Sequence, residues 1–258
     1  MIAKNIIKEL ELNFPKNLAE EWDNVGLLVG NNRREIKKIQ LSLDATEKAI
    51  DNAIENGVDM LVIHHPMIFK GIKNIDYSTV LGRKIIKLIE NRINLYALHT
   101  NLDSALNGLN DYIIKELGVS NSKVIDENIN GESCGIGRVY KLDKETTVAE
   151  YIKLLKEKLE IENIRLVGEE SNLIKKVAIV NGSGMSYWRK VKKLDVDLFI
   201  TGDVGYHEAL DAMESGLNLI DIGHFESEQC FARLLKSYFE KMSIDVIIYN
   251  DGPIFKNY

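Results

Sequence analysis

The chain is short of several features that would settle its class at once. Among its 258 residues there are two cysteines, Cys134 and Cys230, too few for a disulfide framework. No apolar run approaches the roughly 18 residues that a membrane span needs. There is no Walker lysine and no full dinucleotide fingerprint. Positive charge is not in excess: the formal net charge is −6 and the pI near 5.5, so nothing draws the whole molecule to nucleic acid or to acidic membranes, and any polyanion would have to be met by a local patch. Met1-Ile2-Ala3-Lys4-Asn5 opens directly into an amphipathic pattern without an apolar signal core, and the chain reads as cytoplasmic and reduced. What is present is ordinary globular composition. A hydrophobic content of 45% supplies a sizeable core, and the length suits one large or two modest domains.

Ile2, Ile6, Ile7 and Leu10 fall at helical spacing, and Pro15 closes that helix. The segment from Glu21 to Gly30 runs from a polar turn into a short strand bounded by glycine. Ile36 to Asp44 alternates with period two and reads as a second strand. Thr46 can cap a helix from Glu47 to Asn56 that Gly57 ends. After that glycine, Met60-Leu61-Val62-Ile63 reads as a buried strand, and it stops at His64-His65-Pro66. Strand neighbours point to opposite faces, so the two imidazoles can share one ion only if the backbone turns there.

Sliding the sequence along itself by 138 positions sets Ile36-Lys37-Lys38-Ile39 on Ile174-Lys175-Lys176-Val177. The same offset sets Val58-Asp59-Met60-Leu61-Val62 on Val196-Asp197-Leu198-Phe199-Ile200, and Leu28-Val29-Gly30 on Leu166-Val167-Gly168. The helix Val148 to Leu159 then takes the part of the N-terminal helix. Three matches on one diagonal predict an α/β protein of two related α/β domains, an internal duplication, at residues 1–125 and 126–258. Helices would be layered on mixed sheets in each. His64 and His65 fall opposite Gly202 and Asp203, so the second copy keeps a strand end and lacks the imidazole pair.

Each copy carries a further strand that ends in histidine with an acid four positions on: His99 with Asp103, before a helix to about Leu117, and His224 with Glu228, before a helix to about Lys241. A carboxylate in a first helical turn is favoured by the macrodipole alone. That does not explain why His64, His65, His99 and His224, most of the chain's five histidines, gather at carboxyl ends of strands with acids beside them. Imidazole and carboxylate together suit zinc, iron, manganese, nickel or cobalt, and the lack of cysteine there argues against a closed structural zinc site. Three nitrogens with two carboxylates able to bridge fit two divalent ions, with Glu228 or Asp103 bridging or flanking.

Trp22-Asp23-Asn24-Val25-Gly26-Leu27-Leu28-Val29-Gly30, His64-His65-Pro66, His99-Thr100-Asn101-Leu102-Asp103, Thr201-Gly202-Asp203 through His207, and Gly223-His224-Phe225-Glu226-Ser227-Glu228 resemble the signature blocks of the NIF-three-like dinuclear metal centre family, whose members are also called GTP cyclohydrolase I type 2 homologues. The resemblance covers essentially the whole chain. It implies two α/β domains with a two-metal site in the cleft between them, and a homohexamer built from dimers. Carried onto this sequence, the ligands it implies are His64, His65, Asp103, His224 and Glu228, with His99 beside them. Some members carry an extra domain between the halves, where this chain has room only for a short connection around Asp126 to Ser133.

The function this implies is a metal-dependent hydrolase or cyclohydrolase-like enzyme acting on a nucleotide or phosphorylated small molecule, with His99 or His207 as the catalytic proton shuttle. The alternative is a ring-shaped protein that binds single- or double-stranded DNA through Tyr187-Trp188-Arg189-Lys190-Val191-Lys192-Lys193, with structural or regulatory metals; the bland account of that segment is a solvated helix face with Trp188 packed beneath. Storage or delivery of metal is a third reading. Gly182-Ser183-Gly184, after a strand, is a candidate for close approach to a phosphate. Asp23 and Asn24 are candidates to orient a ligand or form an ordinary turn.

Overall fold

The computed structural model describes residues 1–130 and 133–256. The first stretch contains α1 (Ala3–Asn13), β1 (Gly26–Val29), β2 (Lys38–Ser42), α2 (Glu47–Glu55), β3 (Met60–Ile63), α3 (Val80–Glu90), β4 (Asn94–Ala97) and α4 (Thr100–Ser104). Next come α5 (Leu109–Glu116), β5 (Lys123–Glu127), β6 (Gly135–Thr147), α6 (Val148–Leu159), β7 (Arg165–Val167) and β8 (Leu173–Ile179). Then follow α7 (Trp188–Lys193), β9 (Leu198–Thr201), α8 (Tyr206–Glu214), β10 (Asn218–Asp221) and α9 (His224–Glu228). The chain closes with α10 (Phe231–Lys241) and β11 (Asp245–Ile248).

These elements form two compact units. One comprises Met1–Ala105 with Phe231–Ile254; the other comprises Leu106–Cys230 and the tail that begins at Phe255. The division differs from a single cut at residue 125, and the reason lies in two breaks between helices. The helix expected to reach about Leu117 is α5, and Asp103, expected in its first turn, lies in the separate α4: Ala105 is extended (ψ 147°), Asn107 is left-handed (φ 58°), and the Asn107 amide is capped by Asp111. The helix expected to reach about Lys241 is α10, and Glu228, expected in its first turn, lies instead in the separate short helix α9. At each break the chain leaves its own unit, so α5 belongs to the second unit and α10 to the first.

The first unit is built on a five-stranded mixed sheet of order β1-β4-β3-β2-β11, in which only β1 runs antiparallel. Strands β3 and β4 are buried along their whole length, as parallel strands covered on both faces must be. Ile50 and Ala53 of α2 and Ile85 and Leu88 of α3 meet Leu61, Ile63 and Leu95 in one core. Thr46 caps α2 by accepting from the Ala49 amide.

The second unit carries a six-stranded mixed sheet of order β5-β6-β8-β9-β10-β7. Its core joins Val139, Ala178, Phe199 and Leu219 with Val191 of α7 and Ala212 of α8. Helix α6 starts with a reciprocal capping box between Thr147 and Glu150. The short connection expected around Asp126 to Ser133 falls between β5 and β6, which pair antiparallel; Asp126 and Glu127 belong to β5, and Gly131 and Glu132 lie outside the described residues.

Four strands of each sheet repeat one plan, β1-β4-β3-β2 matching β7-β10-β9-β8 in order and direction. The residues matched by the 138-position offset explain why. Asp59 accepts the amides of Lys37 and Lys38 through Oδ2, and Asp197 accepts those of Lys175 and Lys176 in the same way. Gly30 and Gly168 both have positive φ, and a Cβ would lie 2.2 Å from Asn94 Oδ1 in one copy and 2.3 Å from Asn218 Oδ1 in the other. The repeated aspartates pin the start of a strand, and the repeated glycines leave room for an asparagine at the start of its neighbour. The duplication is therefore a repeat of sheet-building devices.

Candidate metal centre

Strand register brings the chemistry of the first unit to the carboxyl end of its parallel strands. Ser42 lies opposite Ile63 and Ile63 opposite Ala97, so Asp44, His64, His65 and His99 all follow at the carboxyl ends of adjacent strands. The backbone turn that the histidine pair requires is present: the amides of His64 and His65 both donate to the Leu43 carbonyl at 3.0 Å. The ring centroids of His64 lie 5.0 Å from His65 and 5.1 Å from His99, and His65 and His99 are 5.7 Å apart. One ring nitrogen from each of the three lies within 4.8 Å of the others.

Each imidazole is oriented through Nδ1. That of His64, which is wholly buried, donates to the Leu98 carbonyl at 2.7 Å. His65 Nδ1 is 3.0 Å from Asp44 Oδ1, and His99 Nδ1 is 2.9 Å from Asp23 Oδ1. Donation from Nδ1 fixes the tautomer that carries its lone pair on Nε2, as in histidines that ligate metals. Asp103, in the single turn of α4, places Oδ1 3.8 Å from His64 Nε2. Burial alone would raise the Asp23 carboxyl, but the hydrogen bond and charge of His99, with bonds from the Thr100 side chain and amide, outweigh it and hold the group below the usual carboxylate value. Asp23 thus remains an anion that pins both His99 and the first turn of α4.

The second unit builds a different set at the matching strand ends. His224 opens α9, and its Nδ1 lies 2.7 Å from Asp203 Oδ2 while Nε2 lies 3.1 Å from Glu228 Oε2, one helical turn on. Glu228 is buried, and its Oε1 accepts from Asn181 Nδ2 at 3.0 Å. Gly182 makes this possible: it has φ +59°, and a Cβ would stand 2.4 Å from Glu228 Oε1 and 3.5 Å from His224 Nε2. The Gly182 and Gly184 amides are spent on the hydroxyls of Ser227 and Thr201, both at 2.8 Å, so this loop packs a carboxylate instead of cradling a phosphate.

Donor chemistry fits a divalent metal in both places: imidazole nitrogens with carboxylate oxygens, each imidazole held from behind by an oxygen. Sequence reasoning missed the holders Asp44, Asp203 and Asn181, because each reaches its partner across neighbouring strand ends. The left-handed φ of Asp203, 54°, shows that the backbone accepts an uncommon conformation to present this carboxylate. His207 is exposed on α8 with its ring against Tyr206, in neither histidine set. In the basic segment, Tyr187 and Trp188 pack against the core of the second unit, Arg189 lies over the Trp188 ring, and Lys190 pairs with Asp126, which matches a solvated helix face with its aromatics turned inward. Among the described residues no helix is long and apolar enough to cross a membrane.

Known proteins are similar to this chain along most of its length. A protein of Clostridium perfringens named GTP cyclohydrolase 1 type 2 homolog is 48% identical over 228 residues, covering 88% of this chain and 87% of the relative. The crystal structure of Staphylococcus aureus protein SA1388 superposes with a TM-score of 0.89 at 31% identity, covering 100% and 99% of the two chains. Reduced HcgD from Methanocaldococcus jannaschii superposes with a TM-score of 0.83 at 34% identity, covering 96% and 97%. The model of the family Duf34/NIF3 (NGG1p interacting factor 3) matches residues 1–252, and the chain belongs to that family.

Proposed function

We propose that the protein binds two divalent metal ions through His64, His65, Asp103, His224 and Glu228, and that it is a metal-dependent hydrolase or cyclohydrolase-like enzyme acting on a nucleotide or phosphorylated small molecule. The observation that carries the reading is the orientation of all four strand-end histidines, whose Nδ1 atoms each meet a carbonyl or carboxylate oxygen within 3.0 Å. Packing alone gives no reason for that repetition, whereas metal ligation requires it. The name shared by the curated relatives supports the choice of hydrolytic ring-opening chemistry. The mixed nitrogen and oxygen set suits zinc, iron, manganese, nickel or cobalt.

Bound there, the ions supply Lewis acidity and a water of lowered pKa. The chain's own residues do the rest. His99, held by the Asp23 anion with its proton on Nδ1, accepts a proton at Nε2 and returns it to a leaving atom. Buried His64, with the Phe231 ring 5.3 Å away, keeps its side of the centre dry, which strengthens the charge interactions there. His207 is the second candidate shuttle, and self-association to a homohexamer is the assembly the family implies.

The decisive measurement is metal content by inductively coupled plasma mass spectrometry after purification without chelators. About two ions per chain are expected, with Glu228→Ala lowering occupancy while circular dichroism stays unchanged. Folded wild-type protein that neither carries nor takes up divalent metal defeats the reading. A screen of nucleotides and phosphorylated small molecules on the loaded protein then tests turnover.

A further inference from the structure

We propose that Trp22 and Phe69 form a stacking platform that holds the planar heterocyclic ring of the substrate beside His99; this rests on the reading of the histidine cluster as the reaction site and names the part of the substrate bound there. The two rings are stacked, with centroids 6.0 Å apart and planes 11° from parallel. Both stand edge-on to the His99 imidazole, at 5.9 Å for Trp22 and 6.0 Å for Phe69. Both are also open to solvent, Trp22 by 60% and Phe69 by 47%, whereas His99 beneath them is largely covered. Two large aromatics left in water against a candidate proton-transfer group cost hydrophobic free energy that burial elsewhere would have recovered.

The pair is also preorganised, which a chance surface cluster is not. Trp22 and Phe69 come from different loops, and Asn24 ties those loops together by donating from Nδ2 to the Ile68 carbonyl at 2.6 Å. Asp23, between Trp22 and Asn24, anchors the same turn to His99 and Thr100. One short turn therefore fixes the platform and the imidazole relative to each other. Rings already within the roughly 4.5–7 Å of direct contact leave no space for a third between them, so the ligand stacks on an open face of the pair. A nitrogen heterocycle satisfies both surfaces: its π face meets the aromatics, as bases do in single-strand binding proteins, and its polar edge meets His99 Nε2.

The chain has two tryptophans, and Trp188 is packed against the core of its unit, so Trp188→Phe leaves Trp22 as the sole reporter. Guanosine, cytidine and inorganic triphosphate are titrated into this variant, in metal-loaded and in chelator-treated form, while metal content is measured separately. Quenching of Trp22 by both nucleosides and not by triphosphate is the expected result. Adding Phe69→Ala should weaken nucleoside binding about tenfold, within the range for loss of a stacked base. Asn24→Ala should weaken it less, with metal content unchanged in both. Nucleoside quenching in protein that never takes up metal would support the platform while defeating the metal reading. Full metal occupancy without quenching, nucleoside binding indifferent to Phe69→Ala, or a self-association that Phe69→Ala abolishes would each overturn the platform.

Discussion

The two strand-end clusters stand on one repeated scaffold and differ in which groups they present. In the first unit three imidazoles gather, each oriented by an oxygen, with Asp103 beside them; in the second a single imidazole stands between two carboxylates, Asp203 and Glu228. Position by position, the 138-residue offset sets His65 on Asp203 and Asp44 on Gly182. The first copy therefore places an acid behind a histidine, where the second places an acid behind a different histidine and empties the acid's old position for Glu228. A duplicated sheet supplies the strand ends twice, and substitution at those ends decides what each can bind. Diverging sites on a preserved frame is the expected order of events, because strand starts carry the stability devices and strand ends are free to carry chemistry.

This contrast can be broken at several points. The largest effect is expected from removing the proposed ligands of each cluster: His64→Ala with His65→Ala, and separately Glu228→Ala, should each lower the metal content of the purified protein, as plasma mass spectrometry would read. If one of the two keeps full occupancy, the corresponding cluster holds no metal. Gly182→Ala puts a Cβ against Glu228 Oε1 at a positive φ, and it should lower metal affinity by about 10- to 100-fold, in the range seen when outer partners of a ligand are disturbed. Affinity equal to wild type in a chelator competition would show that Glu228 is not held for ligation.

The frame itself should respond alike in both copies. Gly30→Ala and Gly168→Ala meet the same obstruction, an asparagine side chain at 2.2 and 2.3 Å, at φ +131° and +118°. Each should cost about 1–3 kcal/mol of stability by urea denaturation and leave metal stoichiometry unchanged. A large loss in one copy and none in the other would mean that the repeat is not an energetic one. The smallest effect is expected from Asp44→Asn and Asp203→Asn. Both keep an acceptor for the histidine Nδ1 and remove only its charge, so a fall of about tenfold in metal affinity is expected, at the low end for such partners. A larger drop for Asp203→Asn would show that a lone imidazole leans harder on its acid than one of three.

Much of the candidate site was legible in the sequence. An apolar strand that stops at His64-His65, and the spacing of His99 with Asp103 and His224 with Glu228, are local signals, because strand ends and first helical turns are marked by short-range sequence. The duplication was legible for a related reason: Asp59 with Asp197 and Gly30 with Gly168 do the same backbone work in each copy. Of the oxygens behind these histidines the sequence offered only Asp23, as a candidate to orient a ligand, and Asp44, Asp203 and the Leu98 carbonyl were not legible. Asp44 reaches His65 only because β2 and β3 are in register, and Asp23 reaches His99 across 76 positions of sequence. Nor was it legible that Asp103 and Glu228 lie in short helices of their own, ahead of the helices that end near Leu117 and Lys241.

By itself, the sequence determined the α/β class, the doubled plan, the family and the residue types gathered at the strand ends. The class and the doubled plan rest on hydrophobic period, capping and turn chemistry within a few residues, and the family rests on the resemblance of its motif blocks. Tertiary structure alone decided that α5 and α10 leave the units that precede them, that three imidazoles orient through Nδ1 in one cluster while two carboxylates flank one imidazole in the other, and that Trp22 lies on Phe69. Those outcomes depend on strand register and on contacts between residues far apart in the chain, which no local pattern encodes.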